Sequence, residues 1–231
     1  MDEVNKENSK DKIESRVEKT IKREMLKKIL MSDDVSKTLN EEKNRVFKII
    51  PELQAEDGFD QRHPHHCYDV WQHTVFALSK SDKDYETRLA LLLHDIGKPF
   101  SYQDDDVVRH FKGHPEVSAK MTEEILTNLE YNDKEIQDIK YLVENHDHII
   151  DVNEITDSKQ LGLVKKLLNI QFCDAYAHAP EHVQKRIDVL NGIKKEIRAK
   201  ETEIKNIEKN KKVYKNFQID KEKEDTEDTE R

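Results

Sequence analysis

The chain has 231 residues, 39% of them charged, and carries a formal net charge of −9. Only 5 glycines and 5 prolines occur, so we expect neither a turn-rich β architecture nor a glycine-rich phosphate loop. The acidic balance also argues against a broad cationic surface for nucleic acid backbones, and we expect no DNA partner.

The predicted compartment follows from the cysteines and from the apolar segments. Cys67 and Cys173 provide no disulfide framework, so we expect both to be reduced. No segment approaches the roughly 18 consecutive apolar residues of a membrane helix, and the first residues lack the apolar stretch of a signal peptide. These features predict a cytoplasmic protein without a membrane partner.

Residues 1–44 are predicted to be a charged N-terminal extension that is partly helical. Apolar residues recur at every fourth position through Val17, Ile21, Met25 and Ile29, which predicts an amphipathic helix. The more polar residues before them predict a disordered start.

Residues 45–199 are predicted to form an all-α domain, followed in residues 200–231 by the end of a charged helix and a disordered acidic tail. Asp133 is the predicted N-cap of the fourth helix, and residues 102–111 are predicted to be a loop or a short hairpin. The predicted helices cover residues 69–79, residues 85–94, residues 115–129, residues from 133 onward, residues 158–178 and residues from 181 onward.

Polar residues interrupt the apolar faces of five of these predicted helices. Leu163, Leu167 and Ile170 mark one face, on which the next position is Asp174. A lone carboxylate that faces a core is costly unless it is paired or binds a metal. The same pattern recurs on the other helices at His73, His94, Asp95, His114 and His146.

One such residue alone is most simply a core or capping residue, but its repetition on five helices favours a shared cause. Imidazole and carboxylate together are a normal ligand set for divalent metals. His94 and Asp95 lie at a predicted helix end before a glycine turn, which lets both side chains point at one site. We therefore expect these distant residues to converge on a metal ion.

The motif LLLHDIGKP contains the pair His94 and Asp95, with the helical His73 upstream and the helical Asp174 downstream. This order resembles the HD-domain superfamily of metal-dependent phosphohydrolases, which implies an HD-domain helical bundle. The phrases HHCYDVWQHT and RHFKGHPEVSA are most similar to the HD domains of bacterial tRNA nucleotidyltransferases. Nothing before Arg45 resembles a nucleotidyltransferase head, so we do not expect tRNA tailing.

The resemblance implies a metal site of one or two divalent ions. His73, His94, Asp95 and Asp174 match the core ligands of the family. Members with two metals add a pair of histidines, so we favour a dinuclear site bridged by Asp95. The matching pair is His114 and His146. The ions expected for such ligands are Mn, Fe, Ni, Co, Mg or Zn.

The resemblance also implies catalytic roles for Asp95 and Lys98, although Lys98 is alternatively a solvated lysine at a helix end. Arg109 and His110 follow the acidic loop and are predicted to contact a phosphate or a nucleobase, with exposed loop charges as the alternative. We also predict that His66 binds substrate or orients the ligands, or else is a loop histidine.

The leading functional hypothesis is a metal-dependent phosphohydrolase that acts on a nucleotide or on an RNA-end phosphate, including 2′,3′-cyclic phosphates. Its partner is then a small phosphorylated substrate or an RNA end. The alternative is a non-catalytic regulatory HD module that binds a nucleotide or RNA. Two further hypotheses are a single structural metal and oxygenase chemistry on a similar helical scaffold.

Overall fold

The computed structural model describes residues 2–64, 67–105 and 108–229, and the side chains of residues 13–212 within these ranges. It is an all-α bundle, which confirms the predicted fold class. Its helices are α1 (Asp2–Leu30), α2 (Val35–Glu41), α3 (Lys43–Ile49), α4 (Val70–Ser79), α5 (Tyr85–Leu93), α6 (Lys98–Ser101), α7 (His114–Asn128), α8 (Asp133–Glu144), α9 (Ser158–Tyr176) and α10 (Pro180–Thr229). Two 3₁₀ segments, Pro51–Glu56 and Val152–Glu154, complete the helical structure of the described ranges.

Helix α5 lies at the centre of the bundle. Residues 89–93 are fully buried, as expected for the second half of this helix, in which every residue is apolar. The helix packs against α1, α4, α8 and α9. Because His94 and Asp95 follow directly at its end, the chain carries these two polar residues into the interior.

Strands β1 (Gln103–Asp104) and β2 (Arg109–His110) form the small hairpin that was one of the two predictions for this segment. They pair antiparallel, with Gln103 opposite His110 and Asp104 opposite Arg109. The hairpin leads into α7 and so brings its charged residues to the entrance of the centre described below.

The capping residues of two helices show where local prediction succeeded and where it failed. The Asp69 carboxylate accepts a hydrogen bond from the Gln72 backbone N–H (2.7 Å) and begins α4 at the predicted position. The predicted N-cap Asp133 is wrong, since it is the first residue of α8. Asn132 is the cap, because its side chain accepts from the Glu135 N–H (3.0 Å) while the Glu135 carboxylate accepts from the Asn132 N–H (3.1 Å).

The N-terminal extension packs onto the bundle through the end of α1. Leu26, Ile29 and Leu30 are buried in the same core as α5, and the Arg88 guanidinium donates to the Leu30 carbonyl (2.6 Å). The helix begins at Asp2, so the predicted disordered start is wrong. Residues 1–44 contain no glycine or proline and many lysines and glutamates, which favour helix.

The C-terminal extension is part of α10, which runs for 50 residues. Ile187, Leu190, Ile197 and Ile204 are buried along one edge of the helix, which packs against α9. The acidic tail was predicted to be disordered, whereas α10 continues to Thr229. None of the helices in the described ranges is long and apolar enough to cross a membrane.

Candidate metal centre

Five elements of the bundle each bring a histidine or an aspartate to one buried point. His73 lies on α4, and Asp174 lies on α9. His114 is the first residue of α7, and His146 follows the cap of α8. Together with His94 and Asp95 at the end of α5, all six predicted ligands are buried.

Asp95 lies between two pairs of histidines. Its Oδ2 is 3.2 Å from His94 Nε2 and 3.5 Å from His73 Nε2. Its Oδ1 is 3.2 Å from His114 Nε2 and 3.7 Å from His146 Nε2. Each carboxylate oxygen therefore faces its own pair of imidazoles, and within each trio the candidate ligand atoms lie within 4.8 Å of one another.

Asp174 closes the centre on the side of His73. Its Oδ1 is 3.0 Å from His73 Nε2 and 3.9 Å from His94 Nε2. Its Oδ2 is 3.0 Å from Arg186 Nη2, which reaches the centre from α10. Asp174 thus joins the first trio, while Arg186 fixes the orientation of its carboxylate.

The backbone orients the imidazoles so that Nε2 points inward. In each histidine Nδ1 lies against a backbone carbonyl: Leu91 for His94 (2.7 Å), Phe111 for His114 (2.8 Å), Val143 for His146 (2.6 Å) and Ala177 for His73 (3.3 Å). An N–H that is donated from Nδ1 leaves the Nε2 lone pair available for a metal. The four rings therefore present the tautomer that a cation needs.

The chain itself satisfies the inward atoms only in part, since Asp95 Oδ2 is paired with Lys98 Nζ at 2.7 Å. Neither Asp95 oxygen nor His94 Nε2 makes a well-formed hydrogen bond within the described part of the chain. Buried polar atoms of this kind normally have a partner, and a divalent cation would provide one. Imidazole nitrogens with two carboxylates also suit ions of the manganese-to-zinc range, so the residues fit the expected metals.

Electrostatics keeps most of these ligands in their metal-binding protonation state. Burial alone would raise the pKa of Asp95, but the charges of His94 and Lys98 hold it well below the usual value. The pKa of Asp174 is likewise held low, by His178, His73 and Arg186 against the effect of burial.

Two of the histidines are also kept neutral in the folded chain. Burial lowers the pKa of His73, and burial together with His94 lowers that of His146 to about 4. Ionised carboxylates and neutral imidazoles are the forms that bind metal. Burial acts to lower the pKa of His94, but the interactions with Asp95 and the charge of Asp174 together raise it.

Lys98 lies inside the site rather than at a solvated helix end. Its side chain is buried, and its Nζ is 2.7 Å from Asp95 Oδ2 and donates to Gln61 Oε1 (3.0 Å). It also lines a cleft of about 430 Å³ that opens onto the centre. A fixed cation is therefore available beside the point where a substrate anion would meet the centre.

The predicted substrate-binding residues of the hairpin also line this cleft, but they are paired within the chain. Arg109 Nε donates to Asp104 Oδ1 (2.7 Å), and its guanidinium lies between the rings of Phe59 and Tyr102. His110 Nε2 is 3.0 Å from Asp105 Oδ2. The prediction for His66 lies outside the described residues.

Two residues near the centre were missed by the sequence analysis. Arg186 could not be assigned, because nothing in its local sequence shows that α10 returns to the site. Glu56 ends a 3₁₀ segment in a polar stretch, yet its carboxyl is fully buried and lacks a hydrogen bond within the described part of the chain. Burial, with the charge of Asp95, raises the pKa of Glu56 well above its usual value.

The bundle and its converging imidazoles and carboxylates define a helical metal-binding domain. Residues 65–228 match the HD domain family, and the chain belongs to that family.

Curated relatives refine this placement. The A-adding tRNA nucleotidyltransferase of Deinococcus radiodurans is 38% identical over 104 residues, which are 42% of this chain and 24% of the relative. The CC-adding tRNA nucleotidyltransferase of Thermus thermophilus is 33% identical over 104 residues, with the same coverage of 42% and 24%. The chain thus spans about a quarter of the length of these relatives, and the predicted resemblance to this branch is confirmed.

Proposed function

We propose that this chain is a metal-dependent phosphohydrolase that acts on a phosphoester of a nucleotide or of an RNA end. The proposed ligands are His73, His94, Asp95, His114, His146 and Asp174. The arrangement around Asp95 is the observation that carries the proposal, since each of its oxygens faces a separate histidine pair. A carboxylate in this position suits a bridge between two cations.

Bound divalent ions would acidify a water molecule and neutralise charge on the phosphate. The residues of the chain position the ions and the phosphate. The lowered pKa of Asp95 favours its ionised form, which would hold the ions, so Asp95 would be a poor free base. Lys98 offsets the charge that develops on a phosphoryl oxygen, as a fixed cation in a buried site does. Arg109 lies at the entrance of the cleft, where its charge is paired with that of Asp104.

The substrate class of the proposal draws on the relatives. Both are named as enzymes that add nucleotides to tRNA, which favours a phosphate at an RNA end, including a 2′,3′-cyclic phosphate. Lys98, Lys112 and Arg186 in the lining of the cleft also provide positive charges that suit a small anionic substrate. Such substrates are found in the cytoplasm, which we keep as the proposed location.

The test is hydrolysis of bis-p-nitrophenyl phosphate and of 2′,3′-cyclic AMP with added Mn²⁺. We expect turnover that requires the metal and is lost in the double variant His94→Ala/Asp95→Ala. Asp33→Ala is the matched control, because the Asp33 side chain is 97% exposed and pairs only with Lys83 among the described contacts. Turnover that survives in the double variant would contradict the proposal.

The non-catalytic module is the second candidate, and the long helix α10 favours it, because such a helix can transmit a binding event. Nucleotide binding without turnover for any metal would support this candidate. A purely structural metal would instead raise the melting temperature without any activity or nucleotide binding.

A further inference from the structure

The cleft at the metal centre continues into a second cavity beside α10. This cavity has a volume of about 580 Å³ and lies between α9, α10 and the loop that follows His146. Asp147, His148, His178 and Arg186 line both spaces. A molecule bound with one end at the metal centre can therefore extend into the second cavity.

The second cavity has an apolar wall beside the charged residues Asp147, Lys185 and Arg186. Ile149 is 90% exposed and Val189 is 58% exposed, and both line the cavity together with Leu190 and Ile193. Single exposed apolar residues are ordinary on a protein surface, but here they share one concave site. Its size and lining match those of small-molecule sites.

Gln171 supplies a buried polar group to this apolar cavity. The residue is 3% exposed, and its Nε2 donates to the carbonyls of His148 (2.6 Å) and Asn145 (3.3 Å). Within the described residues no hydrogen bond reaches its Oε1. The amide nitrogen thus donates to the loop that follows α8, and the amide oxygen remains as an acceptor for an N–H group of a ligand.

Gln171 and Asp174 lie three residues apart on α9, so the acceptor and the metal ligand are on the same side of one helix. Arg186 lies where the two spaces meet, with its Nη2 3.0 Å from both Asp174 Oδ2 and Asp147 Oδ1. The order along the groove is therefore a metal centre for a phosphate, the paired cation Arg186, and a cavity that combines an apolar wall with the acceptor Gln171 Oε1.

We propose that the second cavity is a nucleoside subsite, which binds the nucleoside of a phosphoester whose phosphate lies at the metal centre. This inference rests on the proposed function and adds the residues that select the substrate. A nucleobase combines apolar faces with ring or exocyclic N–H donors, which fit the walls and Gln171 Oε1. A phosphoester without a base would leave the cavity unused, so it should bind more weakly.

The experiment compares two pairs of probes on the full chain loaded with Mn²⁺. Adenosine and ribose, which carry no phosphate, are compared by NMR titration. AMP and ribose 5-phosphate are compared by kcat/KM. We expect adenosine to bind more tightly than ribose, and AMP to be preferred about ten- to hundredfold, as for a filled apolar pocket.

The variant Val189→Trp fills the nucleoside subsite from an exposed position. It should abolish the preference for adenosine over ribose and for AMP over ribose 5-phosphate. Ile207→Trp is the matched control, because Ile207 is also an exposed apolar residue of α10 and does not line the subsite. It should bind and react like the natural chain.

The outcomes separate this inference from the proposed function. Adenosine binding that is lost in Val189→Trp supports the nucleoside subsite even if no substrate is hydrolysed. Hydrolysis of AMP and ribose 5-phosphate at equal rates overturns the subsite and leaves the hydrolase proposal intact. Adenosine binding that Val189→Trp does not alter also overturns it.

Discussion

Lys98 and Asp95 form the closest charge pair at the centre, with 2.7 Å between Nζ and Oδ2. Both side chains are buried, so water screens the pair little. A cation in this place has opposite effects on two ligands. It repels a metal ion bound at Asp95 and attracts a phosphate that approaches the cleft.

The variant Lys98→Gln should therefore lower kcat about hundredfold, as the loss of one fixed electrostatic group commonly does. Its affinity for Mn²⁺ should not weaken, because a repulsive charge is removed. Steady-state kinetics and a Mn²⁺ titration would measure both effects, with the half-exposed Lys83→Gln as the control. An unchanged kcat would show that Lys98 has no catalytic role.

His146 links the protonation of the site to the stability of the metal-free chain. Its pKa is about 4 in the fold, because of burial and His94, and near 6.5 when the chain is unfolded. Between these two pH values His146 is protonated in the unfolded chain but not in the folded chain. The free energy of unfolding should therefore fall as the pH is lowered from 6.5 to 4.

Burial also lowers the pKa of His73, so His73 likewise makes the free energy of unfolding fall as the pH is lowered. The raised pKa of His94 changes this free energy only above pH 6.5. The variant His146→Gln should show a weaker loss of stability over this range, measured by urea unfolding of chelator-treated protein. The exposed neighbour variant His148→Gln should keep the natural slope. Equal slopes in all three proteins would refute this assignment.

At the scale of elements, the turn after α5 must pass very close to α7. A Cβ on Gly97 would lie 2.7 Å from Ser118 N and 2.8 Å from the His114 carbonyl oxygen. The absence of a side chain at Gly97 therefore lets α7 approach and bring His114 toward Asp95.

The variant Gly97→Ala should lower the free energy of unfolding by about 1–3 kcal/mol, because the clash involves backbone atoms that have little room to move. Gly192→Ala is the matched control on α10, where an added Cβ meets no atom within 4 Å. It should stabilise the chain by up to about 1 kcal/mol through helix propensity. Urea denaturation measures both, and equal effects would contradict the packing argument.

Periodicity predicted the helices that hold the ligands, because each of them has a clear apolar face interrupted by one polar residue. Asn132 was missed because two adjacent residues compete for the cap, and only the reciprocal bond with Glu135 decides between them. The continuous helix α1 was missed because a polar composition is compatible with both helix and disorder. Local sequence therefore fixes helix content better than helix ends.

At the scale of the whole molecule, the sequence predicted which residues converge but not what surrounds them. His114 and His146 were predicted from the resemblance, because they match positions in the order of ligands in the family. Arg186 and Gln171 had no such signal, since their roles depend on how α10 packs against α9. The cavity that they line exists only in the assembled bundle.

We propose that these side chains bind two cations bridged by Asp95, and the Mn²⁺ stoichiometry tests this proposal most directly. Calorimetric titration of the chelator-treated full chain should give two Mn²⁺ ions, and His114→Gln/His146→Gln should keep one. Asp95→Ala should lose both, because it removes a ligand from each trio. Failure of the natural chain to bind Mn²⁺ saturably, or full stoichiometry in Asp95→Ala, would contradict a two-ion site bridged by Asp95.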